Sequence, residues 1–167
     1  MYKINDTVLY GKYGVCKIDN IAAENFTGKN MEYYCLKPAY SEGTVIYVPR
    51  ENDRLVSKMK KVLSKEEIDE LIFKTKNTEL IWYADEKVRK DKYNAILSEG
   101  DRGKILQLIN ALYINKTERE AIGKKMYACD EKIMKEAERL IHEEFAVVLN
   151  IKPDEVVDYI VNKIEED

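Results

Sequence analysis

A short basic run lies within a segment of helical character in the second half of the chain. Lys87, Arg89, Lys90 and Lys92 place four cations within six residues. Cations at this density neutralise nucleic-acid phosphates and give an affinity that falls as salt rises. Lys132 and Lys135, from a later helix, extend the candidate phosphate-binding patch.

The acidic residues limit this interpretation. The formal net charge is -3, and residues 65–167 carry 18 basic and 24 acidic groups, against 10 and 7 in residues 1–64. The summed field of the second half repels phosphates at long range, so any contact depends on a local patch. Asp85, Glu86 and Asp91 are interleaved with the cations, and the alternative is a solvated helix face with pairing inside the helix.

Catalytic chemistry finds no support in the residue pattern. The one histidine, His142, lies in a helical segment without a nucleophile or second ligand at a characteristic spacing. The N-terminal glycines fall at predicted β-turns and not in a phosphate-binding loop: Gly11, Gly14, Gly28 and Gly43. The cysteines are odd in number and far apart, which predicts buried thiols and no zinc site: Cys16, Cys35 and Cys129. We predict no catalytic residue, no metal and no cofactor.

The elements that would position these residues fall into two groups. Residues 3–56 alternate β-type runs with turns, as in DTVLY, VCKIDNI, MEYYCLK and TVIYVP. Four or five such strands predict a small antiparallel β-barrel, closed or nearly closed, because closure removes exposed edges. We assign this domain to residues 1–60.

The second group has helical periodicity and begins at Ser64, where Ser64 and Glu67 have the spacing of a capping box. A helix is predicted from about Thr78 to Ser98, with Ile81, Ala84, Val88 and Ala95 along its apolar line. Asp101 is expected to cap the next helix, a long one is expected over 130–149, and Pro153 suits the first turn of the last. The fold class is therefore α+β, with a helical bundle over 64–167.

The composition is that of a folded protein, with 45% hydrophobic and 35% charged residues. Neither a secretory segment nor a membrane span is signalled, so the expected location is the cytoplasm.

The order of these elements resembles a known family. NDTVLYGKYGVCKI is similar to the opening of the CarD/CdnL bacterial transcription regulators, and MEYYCLKP, TVIYVPREN, YNAILSEGD and LINALY follow in the family's order. The matching positions of the first segment are Asp6, Val8, Tyr10, Gly14, Val15 and Ile18. Asn5 and Cys16 replace family glycines, and Glu24 and Tyr47 stand where some relatives carry arginines that face the polymerase.

The resemblance implies a Tudor-like barrel that binds the RNA polymerase β subunit, and a helical domain that contacts promoter DNA at the upstream edge of the bubble. Edge-to-edge strand pairing with the polymerase would use Val45, Ile46, Tyr47, Val48 and Pro49. The alternative is that these residues only complete the barrel.

The resemblance also implies a tryptophan that acts as a wedge at the bubble edge. Counted back from Gly100 and Asp101, the family's tryptophan falls at Glu86, so Trp82 lies one helical turn earlier. Trp82 can serve from the same helix face, or it can be a rim residue packed on its neighbours.

Two other functions remain open. A protein-interaction module would use its helical domain on another protein and never contact DNA. A small ligand inside the barrel is disfavoured, because a barrel this short is filled by its own side chains.

Overall fold

The computed structural model describes residues 1–76, 78 and 82–166. They form two compact units, Met1–Leu63 and Ser64–Asp167. Among the described residues, no helix is long and apolar enough to cross a membrane.

The first unit is a five-stranded antiparallel sheet with the strand order β4-β3-β2-β1-β5. The strands are β1 (Thr7–Tyr10), β2 (Val15–Glu24), β3 (Met31–Pro38), β4 (Ile46–Pro49) and β5 (Met59–Lys61), and the short helix α1 (Asp53–Val56) joins the last two.

The sheet is open, so the prediction of a closed or nearly closed barrel is wrong. β4 and β5 are its two edges, and each pairs with one neighbour only. Leu55 and Val56 of α1 pack against the core of the sheet. In a closed barrel, β4 and β5 would pair with each other. Here they do not, and the apolar side chains of α1 cover part of the core instead.

One face of the sheet carries the core. The strands contribute alternate positions to this face, as a spacing of two predicts; its buried residues are Val8, Cys16, Ile18, Tyr34, Leu36, Val48 and Met59. Some positions between them, such as Tyr33 and Cys35 of β3, are also buried. The unit therefore buries one side-chain layer supplied by every strand.

The turn before β1 explains one departure from the family pattern. Asn5, which replaces a family glycine, has a φ of 74°. This left-handed conformation favours glycine, but asparagine adopts it more readily than most residues. The Asn5 N–H donates to the Ile18 carbonyl at 2.8 Å, so the turn is fixed to β2.

The second unit contains five α-helices among the described residues, and a single 3-10 turn, Pro153–Glu155, leads into the last of them. The α-helices are α2 (Lys65–Thr75), α3 (Glu86–Glu99), α4 (Arg102–Ala121), α5 (Ala128–Leu149) and α6 (Val156–Glu165). The predicted capping box of Ser64 and Glu67 is confirmed at the start of α2, and the Asp101 side chain caps α4.

The predicted start of the second helix is wrong. α3 begins at Glu86 and not near Thr78, because the Asp85 carboxylate accepts from the Val88 N–H and caps the helix there. Ile81 lies outside the described residues.

The predicted apolar line of that helix is also wrong where the structure describes it. Ala84, Val88 and Ala95 are exposed, and α3 buries Arg89 and Tyr93 instead. The buried face is thus defined by a charged side chain and a tyrosine, which a hydrophobic pattern does not detect.

Candidate functional site

The edge strand β4 offers unpaired backbone groups. The Arg50 N–H donates to the Glu32 carbonyl at 2.9 Å, and Tyr34 lies opposite Val48 in the same register. In an antiparallel ladder, residue pairs that are hydrogen-bonded alternate with pairs that are not. Since Arg50 bonds to Glu32, Val48 also bonds to β3, whereas the N–H and C=O of Tyr47 point away from the sheet. Tyr47 is therefore the position where another strand can add.

The end of this edge is closed. Pro49 has no N–H, and its carbonyl accepts from the Asn52 N–H at 3.2 Å. The free edge is thus short and centred on Tyr47.

The residues predicted to contact the polymerase differ in how far their side chains are exposed. Tyr47 is 41% exposed and Val45, which precedes β4, is 39% exposed. Ile46 and Pro49 are half-buried. Val48 is fully buried in the core, so its side chain stabilises the sheet and is not exposed to a partner.

Three aromatic rings pack on the face opposite the core. Phe26 lies edge-to-face on Tyr33 and on Tyr47, with centroids 5.3 and 4.9 Å apart. Tyr33 is buried, whereas Phe26 is 59% exposed. An exposed apolar surface therefore adjoins the free edge, and Phe26 was missed from sequence because it lies in a loop between strands.

The opposite edge is protected against strand addition. β5 has three residues, and two of them are Lys60 and Lys61. Short edge strands that carry lysine resist pairing with other chains. β4 is therefore the edge suited to a partner.

In the second unit, Arg89 and Asp130 form a buried ion pair, with 1% and 0% of their side chains exposed. Arg89 Nε lies 3.0 Å from Asp130 Oδ1, and Nη2 lies 2.8 Å from Oδ2. Arg89 Nη1 donates to the Tyr83 carbonyl at 2.9 Å. Arg89, predicted as a phosphate contact, thus differs from the lysines around it, because it is buried and its donors are directed into the protein.

Aromatic rings enclose the same guanidinium. Arg89 Cζ lies 4.5 Å from the Trp82 ring centroid and 5.3 Å from that of Tyr127. The guanidinium of Arg119 also packs on the Tyr127 ring, with Arg119 Cζ 3.9 Å from the ring centroid. Trp82 contacts the Tyr93 ring edge-to-face and remains 37% exposed. Trp82 therefore precedes α3, is held by Arg89, and still presents part of its ring to solvent.

The lysines predicted to bind phosphate are accessible. Lys87, Lys90 and Lys92 are exposed on α3. None of them forms an ion pair with a residue that the structure describes, so the ion pairs within the helix that a solvated face would contain are not observed among these residues. Lys132 is exposed on α5, and Lys135 pairs with Glu131 at 3.0 Å.

A second basic group was missed from the sequence. The Lys135 ammonium lowers the pKa of the Glu131 carboxyl, and Lys116 and Lys125 lower it further. These lysines therefore share one region near the start of α5. The available signal was Lys116 and Lys125, which flank the end of α4 and precede α5 in the chain.

His142 takes no part in either site. It is half-buried, burial lowers its pKa, and it lines a largely apolar cavity of about 540 Å³ between α2, α4, α5 and α6. Within the described part of the chain, no group of acidic, histidine and cysteine side chains is arranged to hold a metal ion.

The open edge and the aromatic surface beside it are features suited to contact with another protein. Residues 2–62 match the family model described as the CarD-like/TRCF RID domain. The first unit is therefore similar to this family of RNA polymerase-interacting domains, over less than half of the chain. The match ends before α2.

Proposed function

We propose that this protein is a transcription regulator that binds the RNA polymerase β subunit through β4 and contacts promoter DNA at the upstream edge of the bubble, where it stabilises the open complex. The observation that carries the first half is the family match over residues 2–62 together with the free edge at Tyr47. An added polymerase strand gains main-chain hydrogen bonds at that edge, and the exposed side chains beside it select the partner.

The DNA half of the proposal is supported by Trp82 and its surroundings. A partly exposed tryptophan, fixed on a buried guanidinium, is a rigid apolar surface against which an unstacked base pair can rest. Lys87, Lys90, Lys92, Lys132 and Lys135 would neutralise phosphates of the flanking duplex.

The second candidate is an interaction module on the polymerase that does not bind DNA. The burial of Arg89 favours it, because the α3 patch has one cation fewer than the sequence suggested. The two candidates differ in how binding to forked DNA responds to salt.

The test is the affinity for a forked promoter fragment between about 50 and 200 mM salt. Each phosphate contact contributes about 0.9 to the log–log slope. The triple variant Lys87→Ala, Lys90→Ala, Lys92→Ala should lower the slope by about 2 to 3, whereas Lys74→Ala, which removes an exposed lysine paired with Glu70 on α2, should leave it unchanged. A wild-type protein that ignores the fork supports the interaction module.

A further inference from the structure

We propose that the polymerase strand that adds to β4 carries a basic side chain, and that the aromatic–acidic face of the first unit, formed by Phe26, Tyr47, Glu51 and Asp53, recognises it. This inference rests on the proposed function, because the partner is the strand expected at Tyr47. It adds the chemistry that selects the partner.

The aromatic half of this face is suited to a cation. Phe26 and Tyr47 are 59% and 41% exposed, and their ring centroids lie 4.9 Å apart at an interplanar angle of 67°. Buried Tyr33 supports both rings, so they keep their orientation before a partner arrives. Ring faces attract ammonium and guanidinium groups, with arginine the more frequent partner.

The acidic half lies at the end of the same edge. A cleft of about 530 Å³ is lined by Tyr33 and Pro49 together with Glu51 and Asp53. Both carboxylates are exposed, and within the described residues neither forms an ion pair. Glu32, by contrast, is paired with Arg50. Glu51 and Asp53 are thus available to a cation from outside the protein.

The charge of the surrounding unit makes this face distinctive. Residues 1–64 carry 10 basic and 7 acidic groups, so the unit as a whole is basic. A basic partner residue is repelled by most of this surface and attracted where Glu51 and Asp53 adjoin the strand edge. Because a guanidinium both stacks on rings and binds carboxylates in a planar fork, arginine satisfies both halves of the face.

The experiment measures binding of the full-length protein to cognate RNA polymerase core as a function of salt, with Glu51→Lys and Glu51→Gln. Glu42→Lys, the same charge change at an exposed acid of the β3–β4 turn, is the matched control. Circular dichroism confirms that each variant is folded.

We expect Glu51→Lys to weaken binding about tenfold at low salt, Glu51→Gln about threefold, and Glu42→Lys less than twofold. Unchanged binding by Glu51→Lys overturns the inference, and tighter binding overturns it in favour of an acidic partner residue. A wild-type protein that fails to bind polymerase overturns the proposed function itself, which is a distinct result.

Discussion

The guanidinium of Arg89 and the carboxylate of Asp130 join α3 to α5 through a buried, two-point ion pair. Trp82 and Tyr127 lie against the same guanidinium. The contact that holds the two helices together therefore also fixes the position of the exposed tryptophan.

Asp130→Asn should be strongly destabilising. It leaves the Arg89 charge buried without a counter-charge, which costs about 3 to 5 kcal/mol in other proteins. Urea denaturation monitored by circular dichroism measures the loss. Glu131→Gln is the control, since it removes an exposed pair with Lys135 and should cost less than about 1 kcal/mol. A loss equal to the control's would show that the buried pair is not needed.

Arg89→Lys should release Trp82. Lysine retains the charge but lacks the planar group that stacks on the ring and bonds to both carboxylate oxygens. Trp82 is the only tryptophan, so its emission reports on this site alone, and we expect a red shift and stronger acrylamide quenching. Arg139→Lys, which alters a pair with Glu136 and Glu143 on α5, should leave the emission unchanged. An unshifted Arg89→Lys spectrum would contradict the positioning role.

Tyr47→Pro should abolish strand addition at β4 while the sheet stays intact. The Tyr47 N–H is directed away from β3, so proline removes a donor that only a partner would use. We expect polymerase binding to fall more than tenfold, with a melting temperature close to that of Tyr47→Ala. Tyr47→Ala removes the ring but keeps the N–H, so it distinguishes the contribution of the side chain from that of the backbone donor. Equal affinity of the two variants would argue against pairing through this edge.

Alkaline pH should destabilise the helical unit through Tyr93. Burial raises the pKa of Tyr93 to about 12, from an ordinary value of 10.0. Since the unfolded chain loses this proton first, the stabilisation is complete below pH 10 and is lost as the pH rises towards 12. The loss amounts to about 2 to 3 kcal/mol.

The measurement is the free energy of unfolding at pH 9 to 12 for the wild type and Tyr93→Phe. The variant should lose part of the wild-type pH dependence, and Tyr113→Phe, at an exposed position of α4, should retain it. The same slope in wild type and Tyr93→Phe would show that Tyr93 does not titrate in this range.

The sequence predicted the elements whose signals are local. Four β-type runs, the glycine turns and the capping residues Ser64 and Asp101 lie as expected, because each depends on neighbours in the chain. The fifth strand, Met59–Lys61, was not identified from the sequence. The open sheet could not be predicted from the strand pattern, since it depends on how Leu55 and Val56 of α1 pack against the core. The pairing edge at β4 was expected only from the family resemblance.

The candidate DNA site was only partly predictable. Lys87, Lys90 and Lys92 are exposed as a phosphate contact requires, but Arg89, in the same run, is buried. Its partner Asp130 lies 41 residues away, and no periodic pattern relates the two. Tyr127 was missed for the same reason, because its relation to Trp82 passes through Arg89.

The most direct test of the central claim is the lifetime of open promoter complexes formed by a cognate bacterial RNA polymerase. It is measured with the wild-type protein, with the Trp82→Ala variant, and without either protein. We predict that the wild type lengthens the lifetime and that Trp82→Ala, although it binds polymerase equally well, does not. A lifetime that the wild type leaves unchanged while bound to polymerase would contradict the DNA role and favour the interaction module.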